Sequence, residues 1–149
     1  MSRRARIADV HAICSALPEV ELGTSWGDRP TYLVKQNPKP RGFVLARAPR
    51  HDAIDPRTGE EYQDLLVIRT PGAEEKAALV EAAGPFFTID HFRSYNAVLV
   101  QQSRLGEVGV DELREVLTDA WLAVAPKSLA KRFLAGGLDG LDQREGETS

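Results

Sequence analysis

The segment TYLVKQNPKPRGFVLA, residues 31–46, carries the strongest architectural signal in the chain. Thr31–Val34 and Phe43–Ala46 are short runs of β-branched, aromatic and aliphatic residues, while Gln36–Gly42 between them is rich in Pro, Asn and Gly. Two strands joined by so short a connection pair antiparallel, because a parallel pair needs a crossover of a dozen or more residues. The segment predicts a β-hairpin with Lys39 and Arg41 exposed at its tip.

Outward from the hairpin, Leu65–Ile68 and Ala97–Val100 read as further strands, and Thr24–Trp26 as another. Upstream, Ile7, Val10, Cys14 and Leu17 recur at the spacing of one buried helical stripe, which Pro18 ends, so a helix is predicted over residues 6–17. Pro71-Gly72 opens a middle helix, Ala73–Ala83, with Glu74 and Glu75 where the positive end of the helix dipole favours acids. Asp111 is positioned to cap a helix whose Leu113, Leu117, Ala120, Trp121 and Val124 share one face. Pro126 then starts a last short helix through Leu129 and Phe133, which Gly136-Gly137 is expected to stop. The long Pro49–Asp64 connection contains a tight turn at Asp55–Gly59. This order predicts an α+β fold, an antiparallel sheet backed by N-terminal and C-terminal helices. Residues 1–135 form one domain in this reading, and 136–149 a flexible tail.

A chain of 149 residues, 42% hydrophobic and 28% charged, buries a core without disulfides or a structural metal. Cys14 is the sole cysteine, which excludes an internal disulfide and a cysteine-based metal centre and fits a reducing cytoplasm. The longest apolar run, Ala120–Ala125, falls far short of the ~20 residues that span a bilayer. Near the N-terminus, Asp9 and His11 break the segment downstream of Arg3, Arg4 and Arg6, so no signal-peptide apolar region is expected. A cytoplasmic protein with no membrane partner is the expectation.

Net charge is −3, yet it is unevenly placed. Residues 1–50 carry nine Lys/Arg against four Asp/Glu, net +5, whereas residues 51–149 carry ten against eighteen, net −8. From Arg29 to Arg50 there are six basic residues and no acid. Such a run makes a local anion-binding face even on an acidic protein. A ribbon with Lys and Arg at its tip can lie along a nucleic-acid groove. The competing reading is a solvated loop whose Lys and Pro protect a sheet edge.

Catalytic motifs are absent. His11, His51 and His91 are forty residues apart, without local metal-ligand spacing, and Asp52-Ala-Ile-Asp55 lacks the alternating oxygens of a calcium loop. Cys14 lies on the apolar stripe of the first helix, where an inert thiol is expected. No nucleophile elbow or glycine-rich phosphate loop occurs, and no cofactor is implied. His91-Phe92-Arg93-Ser94-Tyr95 precedes a strand and collects polar and aromatic groups. Trp26, His91, Arg93 and Tyr95 are therefore a candidate small-ligand or enzymatic pocket, provided that they converge. A third reading is a protein-interaction module that docks the acidic helix Asp111–Asp119 or the sheet edge, with no protein partner identified.

Several words along the chain resemble the MmcQ/YjbR family of small bacterial proteins: Ala16-Leu17-Pro18-Glu19-Val20-Glu21, Gly23-Thr24-Ser25-Trp26-Gly27 with Pro30-Thr31-Tyr32-Leu33-Val34, Phe86-Phe87-Thr88-Ile89-Asp90-His91-Phe92 and Tyr95-Asn96-Ala97-Val98-Leu99-Val100. Asp111-Glu112-Leu113 through Asp119-Ala120-Trp121 to Ala125-Pro126-Lys127 completes a match over about residues 7–134. The resemblance implies a frataxin-like α+β architecture and a DNA-binding role through a double-wing arrangement. It imports no iron site, because fold likeness does not transfer function and the first helix holds Asp9 as its one acid. Charge and resemblance together point to a DNA-binding module rather than an enzyme. Its phosphate contacts would come from Lys35, Lys39, Arg41, Arg47 and Arg50, with Arg29 peripheral.

Overall fold

A computed structural model describes residues 3–25, 29–47, 51–82 and 84–143. Helix α1 (Ile7–Ala16) leads into strands β1 (Val20–Ser25), β2 (Arg29–Val34), β3 (Arg41–Arg47) and β4 (Leu65–Arg69). Helix α2 (Ala73–Glu81) and a 3₁₀ turn at Asp90–Phe92 precede β5 (Ala97–Gln101), and a second 3₁₀ segment at Gln102–Glu107 leads to α3 (Val110–Val124) and α4 (Lys127–Gln143). The five strands form one sheet in chain order, each antiparallel to its neighbours. The α+β architecture expected from the hairpin is the one observed.

Register assigns each side chain to a face, because successive residues of a strand alternate sides. Tyr32, Val34, Val44, Leu66, Ile68, Val98 and Val100 meet Val10, Ile13 and Cys14 of α1 and Leu113, Leu117 and Trp121 of α3 in the main core. Trp121 is fully buried, donates its indole N–H to the Pro18 carbonyl at 3.0 Å and packs on Phe133. The opposite face carries a smaller core of Leu45, Leu65, Val67, Ala97 and Leu99, covered by Ala53 and Phe92. β4 and β5 are thus buried on both sides, which explains their continuous apolar runs.

The cover over the second face comes from two connections. The β3–β4 connection folds into a small flap: the Tyr62 N–H donates to the Ala53 carbonyl at 3.0 Å and the Asp55 N–H to the Glu60 carbonyl at 2.8 Å. Asp55 closes the expected turn, its carboxylate accepting the Arg57 N–H at 2.9 Å, and Gly59 takes φ +75°, a conformation that L side chains rarely adopt. The β4–β5 connection lays Phe87, Ile89 and Phe92 on the same face. The charged turn His51–Asp55 is engaged internally, with His51 2.6 Å from Glu61 and Asp52 paired with Arg47.

Three expectations are corrected. β1 begins at Val20, four residues before the predicted strand, and extends through Ser25, while Trp26 lies outside the described residues. The α3 N-cap is Gly109 rather than Asp111, whose carboxylate sits in the first turn and accepts from Arg114 at 3.0 Å. α4 continues past Gly136-Gly137 to Gln143. A helix-interior glycine costs only about 1 kcal/mol relative to alanine and keeps its backbone N–H, so it does not stop a helix as proline does.

Candidate anion-binding face

At the hairpin, Val34 pairs with Arg41 and Leu33 with Gly42, and the register shifts between Tyr32 and Leu33. Lys35, Lys39 and Arg41 are exposed around this turn and form no ion pair among the described residues. Arg29 is partly buried at the start of β2. Arg47, expected as a phosphate contact, is instead buried at 5% exposure, because its position on β3 turns it beneath the flap. Its guanidinium pairs with Asp52 at 2.8 Å and lies 5.1 Å from the centroid of Phe92. Arg50 lies outside the described residues.

Beside the hairpin the flap does not reach, and the second face of the sheet opens into a cavity of about 420 Å³. Its floor is Thr31, Leu33, Leu45 and Val67, with Lys39 and Pro40 at one rim and Arg69 and Tyr95 at the other. Gly42 is required here, since a Cβ at that position would lie 2.8 Å from Thr31 Cγ2. β4 runs antiparallel to β3 and β5, so its last residue, Arg69, arrives at the hairpin end opposite Ala97, two residues after Tyr95. The Arg69 guanidinium stacks 4.9 Å from the centroid of the Tyr95 ring, and its Nε is buried without a hydrogen-bond partner.

Tyr95 is held by a residue that the sequence reading overlooked. Lys76 of α2 is buried and donates from Nζ to the Phe92 carbonyl and, at 2.6 Å, to the Tyr95 carbonyl, so that one ammonium gathers the end of the 3₁₀ turn. Burial pushes this ammonium below the ordinary lysine value. A signal existed: Lys76 precedes Leu79 and Val80 by three and four residues and so shares their inward stripe. Arg69 had no comparable signal, since a cation closing an apolar strand reads as an exposed end.

Of the expected small-ligand pocket, Tyr95 alone is seen to line the cavity. Arg93 is exposed and pairs with Asp90. His91 contributes backbone to the 3₁₀ turn, its side chain lying outside the described residues, as does Trp26. His11 is satisfied by Tyr32, with Nδ1 2.6 Å from the phenol oxygen. The Cys14 thiol is pushed up to about 12 by burial, which keeps it protonated and inert. No cluster of three His, Cys, Asp or Glu suited to a metal occurs among the described residues.

Between α2 and α3 lies a second groove of about 240 Å³, lined by Glu75, Glu112, Glu115 and Asp119 and, at one end, by Arg69. Burial, reinforced by Glu115 and Glu75, raises the Asp119 carboxyl above its ordinary value. No helix among the described residues is long and apolar enough to cross a membrane.

A five-stranded antiparallel meander with helices on one face and a basic hairpin at one end defines a small α+β domain. The YjbR family model matches residues 15–123, most of the chain, and the protein belongs to that family. It is similar to the uncharacterized proteins Rv2570 of Mycobacterium tuberculosis and Mb2600 of Mycobacterium bovis, each 44% identical over 73 residues, 48% of this chain and 54% of the relative. The matched region thus spans about half the length of these curated relatives. Among solved structures, the fold is similar to Deinococcus radiodurans protein DR2400, a DUF419 domain, with a TM-score of 0.55 and 20% identity over 83% of this chain and 80% of that one.

Proposed function

We propose that the chain is a DNA-binding module that grips the phosphate backbone through the β2–β3 hairpin. The supporting observation is that Lys35, Lys39 and Arg41 stand exposed around one turn without a carboxylate partner among the described residues. Cations placed in this way attract phosphates and release the counterions condensed on them. Arg50 stays in the set on sequence grounds, and buried Arg47 leaves it. The resemblance to a double-wing arrangement agrees with a projecting hairpin as the contacting element. A single buried thiol, Cys14, fits action in a reducing cytoplasm.

The test is fluorescence anisotropy with random double-stranded and single-stranded DNA across a salt series. At about −0.9 per phosphate contact on duplex, three contacts give a log–log slope of about −2.7 and a fourth from Arg50 about −3.6. Lys39→Ala/Arg41→Ala reduces the magnitude of the slope by about 1.8. A slope near zero, or one that this double variant leaves unchanged, overturns the reading.

A further inference from the structure

We propose that the cavity beside the hairpin is a binding site for a small organic monoanion, a carboxylate carried on a compact apolar body, held between Arg69 and Lys39. The inference shares Lys39 with the DNA reading but rests on Arg69, which is not among the phosphate contacts, so Arg69 variants separate the two.

The cavity's volume, about 420 Å³, lies in the range of small-molecule sites, roughly 300–1,000 Å³. Leu33, Leu45 and Val67 give it an apolar floor, and among the described residues the side chains that line it include two cations and no carboxylate. Arg47 provides an internal comparison. It lies on the same face of the sheet, and its charge is met by Asp52. Arg69 makes no ion pair among the described residues; its Nε is buried and closed to a ligand, so a carboxylate would meet the two Nη groups at the end of the guanidinium. A partly buried guanidinium that forms no ion pair is costly even though Glu75, Glu112, Glu115 and Asp119 line a neighbouring groove with it, and a carboxylate is the group that its planar fork fits in bidentate fashion. Stacking on Tyr95, which Lys76 fixes from behind, holds that fork in place before any ligand arrives. The apolar floor argues against a bare phosphate, which would leave those side chains uncovered.

The test is a ¹H–¹⁵N NMR titration of the full chain with 2-naphthoate and, in parallel, with 2-naphthamide, which has the same apolar body without the charge. Expected are saturable shifts at Thr31, Leu33, Gly42, Val67 and Arg69, with naphthoate bound at least about tenfold more tightly than the amide. Arg69→Met weakens naphthoate by about tenfold or more and leaves DNA affinity unchanged, and Arg69→Lys restores part of the loss. Absence of saturable shifts at these residues up to low-millimolar naphthoate overturns the inference. Equal affinity for acid and amide overturns it as well, a comparison that requires no variant to fold.

Discussion

The Arg47 guanidinium meets the Asp52 carboxylate at 2.8 Å with very different exposure on the two sides, 2% for the arginine side chain and 29% for the aspartate. The pair runs through Nη2, and Arg47 Nε and Nη1 have no hydrogen-bond partner among the described residues, so this ion pair, with the Phe92 ring contact, is the main compensation for burying the cation.

The two halves of the pair should therefore respond unequally to substitution. Asp52→Asn strands a charge beneath the flap and is expected to lower stability by about 3 kcal/mol or more in urea unfolding, the range for a broken buried pair. Arg47→Met leaves a carboxylate that water can still reach, and is expected to cost about 1 kcal/mol or less while leaving the salt slope for DNA unchanged. Equal losses would mean that the flap does not seal Arg47. A reduced salt slope in Arg47→Met would return that residue to the phosphate contacts.

Lys76 ties α2 to the segment that carries Tyr95. Lys76→Met keeps the aliphatic stem and removes the donors, leaving the Phe92 and Tyr95 carbonyls without this partner. The expected loss is about 1.5–3 kcal/mol, the value of hydrogen bonds to a charged group, or a fall in Tm of about 2–4 °C for each kcal/mol at this chain length. Amide exchange should accelerate around Arg93–Ala97 first. An unchanged Tm together with unchanged exchange would show that the ammonium does not organise this turn.

Asp9 sets an acid limit on stability. Arg3 donates to both carboxylate oxygens, at 2.8 and 2.6 Å, and the Arg6 N–H adds a third bond at 2.8 Å. Chiefly through the Arg3 hydrogen bonds, the Asp9 carboxyl is lowered to about 2 from the ordinary 3.8. The folded state holds this proton less tightly than the unfolded chain does, so the contribution is complete above about pH 4 and disappears as pH falls towards 2. Asp9→Asn is expected to lower Tm at pH 6 and to converge with the native protein near pH 2. A Tm difference that stays constant from pH 6 to pH 2 would assign the effect to something other than this titration.

Periodicity and turn chemistry, both local properties, made much of the fold legible. The α1 stripe of Val10 and Cys14, the α3 face of Leu113, Leu117 and Trp121, and the four apolar runs of β2 to β5 all appear within a few residues of their predicted positions. β1 was harder to place because Leu22 is 61% exposed and Gly23 interrupts its pattern, so pairing with β2 rather than burial defines it. The end of α4 was misread because a glycine pair permits a stop without enforcing one.

The candidate site was only half legible, and for a definite reason. A charge count along residues 29–50 gives Lys39 and Arg47 equal weight, since composition carries no information about strand faces or about what a distant connection covers. Local sequence specified the antiparallel hairpin, its exposed Lys39 and Arg41, the helix stripes and the inert Cys14, because each depends on neighbours within a few residues. Only the tertiary structure buried Arg47 against Asp52, brought Arg69 to Tyr95 across 26 positions of chain and left a cavity between them and Lys39. Those relationships depend on strand register and on how far the two covering connections extend over the sheet, and both are set by packing between segments remote in sequence.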